Sequence, residues 1–405
     1  MTSGGPGLRS ASVRRTNLST ILRLLHLDGP MSRTSIRHHT GLTRGAVGTL
    51  VADLEAMGFV RETTPAPDGT PGRPSPIVRP RARTNATIGI DLMVDSTGVV
   101  LQGLGGAVLR SIRRDRAPGR LGADDLVADA VRLVDQVRST ADADTRIFGV
   151  GIAVPGLVDR DGRLTLAPNL GLAEIDLGRR FEAVIHDLPV IVHNEANLGA
   201  LAESRRGAAA GRDHVLYLSG EVGVGGGIIA DGEPLTGRAG FAGEVGHVPV
   251  NPDGLLCGCG AVGCWETEVG EPALLTRAGL PPDGGRPAVE TLLNRAGSGD
   301  DATRHALAAH ARWLGVGLAG LLNVLDVEAV VLGGLFGRLH PHLAEDLDAE
   351  LDRRVLPALR DRAVVASTLG DDAPVIGAAE AVWRAALDDP VTALDRLRSP
   401  AAAAG

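Results

Sequence analysis

The 405-residue chain contains no lysine, so arginine supplies every strongly basic side chain. It has only three cysteines, and an odd number cannot form a fully paired disulfide framework. No charged segment followed by an apolar one stands at the N-terminus, so we predict no secretory signal. With reduced cysteines and no leader, we expect a cytoplasmic protein.

The sequence also lacks an uninterrupted apolar run long enough to cross a bilayer. The longest run, residues 313–336, is broken by Asn323, Asp326 and Glu328. A transmembrane helix needs about 20 predominantly apolar residues. We therefore interpret this run as a buried helix followed by a strand, and expect no membrane partner.

Charge is divided unevenly along the chain, whose net charge is −8. Residues 1–84, called the head, carry twelve arginines and five acidic residues, a net charge of +7 that leaves −15 for residues 85–405, the body. A chain of this length can hold two or three domains, each with its own core. A basic head on an acidic body predicts that the head binds a polyanion.

Apolar spacing in the head predicts three helices. Residues 17–27 repeat apolar side chains at the spacing of one buried helix face. Ser32 can cap a second helix, and Thr43 can cap a third after a tight turn at Gly41. Two short helices joined by a glycine turn, behind a supporting helix, form a helix-turn-helix.

DNA is the polyanion that this pattern favours. The exposed start of the third helix would face base edges in a major groove, and Arg44 is the first candidate there for a bidentate or phosphate contact. Segments 60–62 and 77–79 can pair as a wing whose loop presents an arginine to a minor groove. The alternative is a three-helix protein-interaction module with an ordinary solvated arginine face, and DNA binding is favoured because the charge of +7 coincides with the helix pattern. The predicted DNA-contacting residues are Thr43, Arg44, Gly45, Gly48, Thr49 and Arg73.

Beyond the head, short apolar strands end in glycine turns and alternate with helices. Strands are predicted at 87–91, 148–154 and 215–218, the last entering a glycine-rich turn at 220–227. Two such strand sets, each followed by helices, predict a duplicated α/β body with a cleft between two lobes.

The three cysteines and one histidine have the spacing of a metal site. Cys257, Cys259 and Cys264 lie within eight residues, and His247 stands ten positions before the first. Three thiolates and an imidazole make the tetrahedral set of a closed, structural zinc site. Cys-x-Cys spacing is too tight for an unstrained disulfide, and the clustering argues against three scattered core cysteines. We predict structural Zn²⁺ on these four side chains.

Five segments, in this order, resemble the ROK family of repressors, open reading frames and sugar kinases. The resemblance covers nearly the whole chain and implies a winged helix-turn-helix followed by a two-lobed, actin-like (sugar-kinase, RNase H-like) ATPase fold. The implied domains are the head (1–84), a first lobe (85–195), a second lobe with the metal loop (196–390) and a tail (391–405). The segments are GVGIAVPG (149–156), PNLG (168–171), NEAN (194–197), GEVGH (243–247) and CGCGAVGCWE (257–266).

Carried over by position, the resemblance implies the same zinc ligands and six sugar contacts. Carboxylates and amides exchange hydrogen bonds with neighbouring hydroxyls, and a missing hydroxyl leaves buried groups unpaired, which gives discrimination. One ring nitrogen of His247 would bind zinc and the other a hydroxyl. For each residue alone, the alternative is a loop cap or a surface contact. The implied sugar contacts are Asn169, Asn194, Glu195, Glu244, His247 and Glu266.

Departures from the kinase pattern decide between a sensor and an enzyme. Family kinases carry Asp-x-Gly-Gly-Thr-Lys after the first strand, whereas here Asp91 is followed by Leu-Met-Val and Asp95. Glu221 interrupts the second phosphate loop, and Glu195 stands where kinases have an aspartate base. A misplacement of about 1 Å can cost about 100-fold in rate. We therefore predict no phosphoryl transfer and assign no catalytic residue.

The resulting hypothesis is a sugar-responsive DNA-binding regulator of carbohydrate metabolism genes, and a repressor because most family members with such a head are repressors. Its partners would be operator DNA and a small sugar or sugar derivative. A homodimer or homotetramer follows from the family and from the geometry of DNA half-sites. The alternatives are an ATP-dependent sugar kinase with a regulatory head and a DNA-binding scaffold that needs no ligand.

Overall fold

The chain divides into two compact units. Unit 1 comprises Met1–Ile152, Leu177–Val192 and Ala378–Gly405, and unit 2 comprises Ala153–Asp176 and His193–Gly377. The head and the C-terminal segment therefore belong to the same unit. The structure is a computed structural model that describes residues 10–64, 75–116, 122–186 and 188–398.

Three helices form in the head, as the apolar spacing predicts: α1 (Ser10–Asp28), α2 (Arg33–Thr40) and α3 (Arg44–Ala56). The Ser32 hydroxyl accepts a hydrogen bond from the Ser35 N–H, and the Thr43 hydroxyl accepts one from the Ala46 N–H. Both predicted caps are thus confirmed. Gly41 ends α2 in the left-handed conformation, with φ 68°, where a side chain would be strained.

A small antiparallel sheet accompanies these helices. It orders β1 (Met31–Ser32), β3 (Ile77–Pro80) and β2 (Val60–Thr63) side by side. Arg61 stands opposite Arg79, so the predicted pairing of the second and third of these segments is confirmed. The two-residue β1 was not predicted because it is too short to show alternation. Arg73, a predicted DNA contact, lies outside the described residues, as do all of residues 65–74.

Unit 1 also contains a five-stranded sheet, with strand order β11-β7-β4-β5-β6. Strands β4 and β5 pair antiparallel, as do β5 and β6, and every residue of β4 and β5 is buried. Two helices, α4 (Ala123–Arg138) and α5 (Leu177–Ile185), accompany the sheet. The strands are β4 (Asn85–Leu92), β5 (Ser96–Gly103), β6 (Val108–Asp115), β7 (Arg146–Val154) and β11 (Val190–Asn194).

Unit 2 contains a second five-stranded sheet and a small antiparallel one. The small sheet consists of β8 (Leu157–Val158), β9 (Leu164–Ala167) and β10 (Leu172–Ile175). In the larger sheet, β12 pairs parallel with β15 and β15 pairs parallel with β16. Its strands, in spatial order, are β14 (Glu233–Pro234), β13 (Val224–Ala230), β12 (Val215–Gly220), β15 (Ala329–Gly333) and β16 (Ala363–Ala366).

Six helices lie wholly in unit 2, where strands β12–β14 are followed by helices, as predicted for a strand set of the body. They are α6 (Glu195–Arg206), α7 (Trp265–Val269), α8 (Glu271–Arg277), α9 (Gly285–Gly297), α10 (Asp301–Leu325) and α11 (Gly334–Arg354). The apolar run from residue 313 is the end of α10 followed by β15, as predicted. Across the described ranges, none of the helices has the length and apolar character needed to span a membrane.

The glycine-rich segment 220–227 is mostly strand rather than turn, which corrects the sequence prediction. Only residues 221–223 turn, and β13 begins at Val224. Its glycines allow close packing: a Cβ built on Gly227 would lie 2.3 Å from the carbonyl oxygen of Ala196, and one on Gly226 would lie 2.6 Å from Val245 Cγ2. Glycine in a strand often marks such a close approach.

Two helices end the described chain, and the second of them covers residues 391–398 of the segment predicted as a C-terminal tail. These are α12 (Ala373–Asp388) and α13 (Pro390–Arg398). Leu394 of α13 is buried in a hydrophobic core with Leu18 and Leu22 of the head. Residues 399–405 lie outside the described residues.

The core of the head continues into the rest of unit 1. The rings of Phe59, Phe148 and Trp383 follow one another, with centroids 5.6 and 5.4 Å apart. The Arg146 guanidinium lies 5.3 Å from the Phe59 ring centroid and donates a hydrogen bond to the carbonyl oxygen of Met57. The core that contains the helices of the head therefore extends beyond residue 84 to Phe148 and Trp383.

Candidate functional site

The four predicted metal ligands converge in unit 2. The ligand atoms of His247, Cys257, Cys259 and Cys264 all lie within 4.8 Å of one another. Cys257 Sγ lies 3.7 Å from His247 Nδ1, and Cys259 Sγ lies 3.6 Å from Cys264 Sγ. All three cysteines are free thiols. Tetrahedral coordination with bonds of about 2.0–2.3 Å holds ligand atoms at about these separations, so the donor set fits a structural metal ion.

The chain around the cysteines is folded so that this convergence is possible. The Cys257 N–H donates to the carbonyl oxygen of Ala261 at 2.7 Å, which closes the Cys-Gly-Cys turn. Gly263 has φ 73°, and a Cβ there would lie 1.6 Å from the carbonyl oxygen of Asn251. Only glycine fits this position, and it delivers Cys264 to the cluster.

The local environment raises the pKa of two of the thiols and lowers the pKa of the third. Burial raises the pKa of Cys257 and of Cys264, whereas the Ala261 N–H lowers the pKa of Cys259 through a hydrogen bond. Metal coordination requires thiolates, so a bound cation would displace protons from the two buried thiols. Metal affinity at this cluster would therefore increase with pH.

Two carboxylates flank the imidazole of His247. Glu244 Oε2 lies 3.9 Å from His247 Nε2, and Glu266 Oε1 lies 3.7 Å from His247 Nδ1. The Cys257 thiol donates to Glu266 Oε1 at 2.8 Å. Burial raises the pKa of Glu244, and Glu266 adds to the increase while His247 opposes it. The structure thus brings three of the six predicted sugar contacts together beside the cysteine cluster.

The N-terminus of α6 holds two further predicted contacts, Asn194 and Glu195. Asn194 Oδ1 accepts hydrogen bonds from the N–H groups of Ala196 and Asn197, and its Nδ2 donates to the carbonyl oxygen of Gly156 at 2.9 Å. Asn194 therefore caps the helix, which was the alternative role for it. Glu195 is the first residue of α6 and is half-buried.

Asn197 belongs to the family motif but was not predicted as a contact. Its Oδ1 is buried and has no hydrogen-bond partner within the described ranges. A Cβ built on Gly243 would lie 3.5 Å from that oxygen, so it lies close to the segment that carries Glu244. A buried, unsatisfied acceptor beside a candidate binding site is a position that a ligand hydroxyl can fill.

Asn169 is the sixth predicted sugar contact. It lies in a short 3-10 turn, Pro168–Leu170, and is exposed. Within the described part of the chain, its side chain makes no hydrogen bond. Gly171 ends this turn in the left-handed conformation, with φ 69°, and its N–H donates to the carbonyl oxygen of Pro168.

Two acidic residues lie in the segments that correspond to the kinase phosphate loops: Asp91, which the kinase pattern shares, and Glu221, which departs from it. In unit 1, Asp91 lies 3.2 Å from Arg113 Nη1, which also donates to the Ser96 hydroxyl. In unit 2, a Cβ built on Gly334 would lie 2.7 Å from Glu221 Oε1. Since α11 begins at Gly334, the Glu221 carboxylate stands at the positive end of a 21-residue helix.

The arginines of the head divide into two groups. Arg14 pairs with Asp53 at 2.5 Å, Arg33 with Glu62 at 2.5 Å, and Arg15 with Asp389 at 3.1 Å. Arg44, by contrast, forms no ion pair with any residue that the structure describes. Among its predicted companions, Thr43, Gly45 and Thr49 are exposed and Gly48 is half-buried.

Comparisons with known proteins agree with these features. Residues 87–385 match the family described as the ROK family. The chain is 30% identical to the xylose repressor of Bacillus subtilis (strain 168) over 367 residues, which are 90% of this chain and 94% of that protein. A solved ROK family transcriptional regulator, described as a homolog of the E. coli MLC protein, is 25% identical with a TM-score of 0.79 and covers 95% of this chain and 99% of its own. A ROK family glucokinase from Streptomyces griseus, solved with glucose and AMPPNP, is 28% identical with a TM-score of 0.62 and covers 74% of this chain and 99% of its own.

Proposed function

Because the chain belongs to the ROK family, we propose that it is a sugar-responsive transcriptional repressor. The observation that carries the proposal is the extent of its likeness to the xylose repressor, 90% of this chain and 94% of that protein. The glucokinase likeness extends over 74% of the chain. A relative that matches nearly the full length, head included, supports the repressor over the kinase.

The head is proposed to be a winged helix-turn-helix. In this assignment α3 enters the major groove, α2 crosses the DNA backbone, and strands β2 and β3 form the wing. The exposed Arg44 at the start of α3 is available for a bidentate contact with guanine or for a phosphate. Thr43, Gly45, Gly48 and Thr49 line the same end of the helix, and Arg73 on the wing loop is proposed to reach the minor groove.

Unit 2 is proposed to bind the sugar. Glu244, His247 and Glu266 would exchange hydrogen bonds with adjacent hydroxyls, and Glu195 and Asn197 would do so from α6. In this assignment Asn194 positions the helix that carries them, and Asn169 remains a candidate contact from the neighbouring turn. A sugar lacking one hydroxyl would leave a buried acceptor unpaired, which costs about 1–3 kcal/mol.

A structural zinc ion is the proposed occupant of the cysteine cluster. His247 would ligate it through Nδ1, which faces Cys257, and would keep Nε2 for the side of Glu244 and the sugar. The ion would supply the fixed point that holds the imidazole and Glu266 in register. It would have no part in any bond-making step.

Phosphoryl transfer is not part of the proposed function. By the family resemblance, Asp95 in the first loop and the Glu221 carboxylate at the start of α11 stand where a kinase would approach nucleotide phosphates. Carboxylate at that helix end competes with phosphate for the same positive potential. Glu195, one methylene longer than the aspartate of the kinases, would misplace the base.

The proposed mechanism is a shift between two conformations in a homodimer or homotetramer. Sugar would favour the conformation whose heads no longer match the spacing of the operator half-sites. For strong switching, the sugar must prefer one conformation by about 5 kcal/mol. Operator release would then accompany sugar binding without any chemical step.

Thermal denaturation of the purified protein against separate ligands tests this proposal. D-xylose, D-glucose, N-acetyl-D-glucosamine and Mg-ATP would each be added at increasing concentration, because a ligand that binds only the folded state raises the Tm. The expected result is a shift with one sugar and none with Mg-ATP. A clear shift with Mg-ATP, followed by sugar-dependent ADP release, would support the sugar kinase instead.

A further inference from the structure

Helix α12 belongs to both compact units. Unit 2 ends at Gly377 and unit 1 resumes at Ala378, so the boundary falls within the first two turns of this continuous helix. Each end of the helix makes its own close contacts within its own unit. Those contacts connect the helix to the proposed sugar site at one end and to the head at the other.

The start of α12 is fixed against α6 by a glycine. A Cβ built on Gly377 would lie 1.9 Å from the carbonyl oxygen of Leu198, so no larger residue fits. Leu198 lies one turn after Glu195, at the end of α6 that carries the proposed sugar contacts. Because close-packed elements transmit displacement rather than absorb it, a shift of α6 reaches α12 directly.

One residue further on, α12 enters unit 1 under a similar constraint. A Cβ built on Gly151 of β7 would lie 2.0 Å from the carbonyl oxygen of Ala378, and the Thr87 hydroxyl donates to the carbonyl oxygen of Ala379 at 3.2 Å. The helix is therefore held by its backbone on both sides of the boundary. Because the helix is continuous, a small rotation of its first turn also rotates its next turn.

The next turn carries Glu380, which holds α1 of the head through a buried hydrogen-bond network. Its carboxylate lies 3.0 Å from His26 Nε2 and accepts a hydrogen bond from Gln102 Nε2 at 2.9 Å. The side chains of His26 and Glu380 are only 2% and 3% exposed. Since the Gly105 N–H donates to His26 Nδ1 at 3.0 Å, Nδ1 is the acceptor and Nε2–H is the donor to Glu380.

This network differs from the surface ion pairs that also join α1 to the C-terminal segment. The Arg15–Asp389 pair has side chains 54% and 38% exposed, and such pairs contribute little because water and salt screen them. The His26 ring, in contrast, packs against Trp383 with centroids 5.4 Å apart, inside the core that the head shares with unit 1. A buried polar network with fixed partners specifies one orientation.

We propose that Glu380 is a positioning residue through which sugar binding is transmitted to the DNA-binding head. Displacement of α6 moves the start of α12, α12 moves the Glu380 carboxylate, and the carboxylate moves α1 through His26. This inference rests on the proposed sugar-responsive function and adds the route by which the response reaches the head. Loss of the carboxylate uncouples the head while leaving both binding sites intact.

The Glu380→Gln variant tests the route in the full-length protein. The measured quantity is the ratio of DNA affinities without and with saturating sugar, obtained by fluorescence anisotropy on a DNA fragment selected by the wild-type protein. Glu380→Gln is expected to keep sugar affinity and sugar-free DNA affinity within about threefold of wild type, while the ratio falls at least tenfold. The Asp389→Asn variant, which removes the exposed partner of Arg15, is the matched control and should keep the wild-type ratio.

The outcomes distinguish failure of the route from failure of the proposed function. A wild-type ratio of one would mean that the protein is not sugar-responsive, and the proposed function itself would fail. A large wild-type ratio that Glu380→Gln retains would overturn the route alone, and a lower Tm with an unchanged ratio would show that Glu380 has only a structural role. If Glu380→Gln does not fold, Gln102→Leu takes its place, because it removes a donor to the same carboxylate. It must then also lower the ratio of DNA affinities without and with sugar.

Discussion

The indole N–H of Trp265 donates a hydrogen bond to the carbonyl oxygen of Trp313, 2.9 Å away. Trp265 follows Cys264 directly and begins α7, and it is completely buried. The bond and the packing around it anchor the end of the metal loop to α10. They fix Glu266, the next residue, at the side of His247.

This anchor depends on a glycine of α10. A Cβ built on Gly317 would lie 2.2 Å from the Trp265 ring, so Gly317→Ala must displace the indole and with it Glu266. We expect a loss of about 1–3 kcal/mol in the free energy of unfolding, as for other overpacked cores, and at least tenfold weaker sugar binding. Urea denaturation and calorimetric titration measure the two effects.

Gly320→Ala provides the matched control on the same helix, because a Cβ there would have open space within 4 Å among the described residues beyond its own helix. It should leave sugar affinity unchanged and stabilise the protein by about 0.5–1 kcal/mol, through the higher helix propensity of alanine. Equal effects of the two substitutions would contradict the role given to the Trp265 anchor.

Removal of Cys259 should empty the proposed zinc site. Cys259→Ser is expected to reduce bound zinc from one ion per chain to a small fraction, to lower the Tm, and to weaken sugar binding about 10- to 100-fold, the range seen when metal-site partners are removed. Elemental analysis and calorimetric titration provide the readouts. Leu255→Ser changes a side chain that is 68% exposed near the same loop and should retain zinc. A Cys259→Ser protein with normal sugar affinity would refute the proposed link between zinc and sensing.

Arg44→Ala should weaken DNA binding and leave sugar binding unchanged. Removing a hydrogen bond to a base at the start of α3 costs about 1–3 kcal/mol and relaxes the preference at one base pair, whereas removing an interaction with phosphate weakens binding to all DNA sequences alike. Competition binding with selected and scrambled DNA separates the two cases. Arg110→Ala removes an exposed arginine of β6, outside the head, and should have no effect on affinity. Equal reductions in affinity for both variants would mean that only overall charge matters.

His310 should make the protein sensitive to acid. It is fully buried in α10, and within the described residues neither ring nitrogen has a hydrogen-bond partner. Burial, assisted by Arg277, lowers the pKa of His310 to about 3. Between that value and the unfolded pKa of about 6.5, the unfolded state binds more protons, so this contribution is complete above pH 6.5 and is lost as pH falls.

His310→Leu should remove that dependence. Between pH 6.5 and 5, wild type is expected to lose about 2 kcal/mol more than the variant, at about 1.4 kcal/mol per pH unit. Urea denaturation at several pH values gives the slopes. His305→Leu, which changes an exposed histidine of the same helix, should keep the wild-type slope. Identical slopes for wild type and His310→Leu would contradict the assignment.

Local features of the fold followed from the sequence because they have local causes. The caps at Ser32 and Thr43 need only a hydroxyl before an apolar helix. The metal cluster was predicted from spacing alone, since the turns that bring Cys257, Cys259 and Cys264 together lie within the motif itself. Residue type and short-range geometry carry the whole signal in these cases.

Contacts between segments that are distant in the sequence could not be predicted from local residue patterns. His26 and Glu380 are separated by 354 positions, and nothing in either neighbourhood indicates the other. The same holds for α13, whose nine residues are too few for a clear period before Leu394 is seen packed against the head. Asn197 was overlooked because its unsatisfied oxygen is evident only once Gly243 is placed beside it.

The central claim, that a sugar controls DNA binding, is tested most directly by one titration. The purified protein would be bound to a fluorescent DNA fragment selected from a random library, and anisotropy followed as D-xylose, D-glucose or N-acetyl-D-glucosamine is added. We predict that one of these sugars weakens DNA affinity at least tenfold, within the range of about 5- to 150-fold typical of allosteric coupling. DNA affinity unchanged by every sugar that binds the protein would contradict the claim.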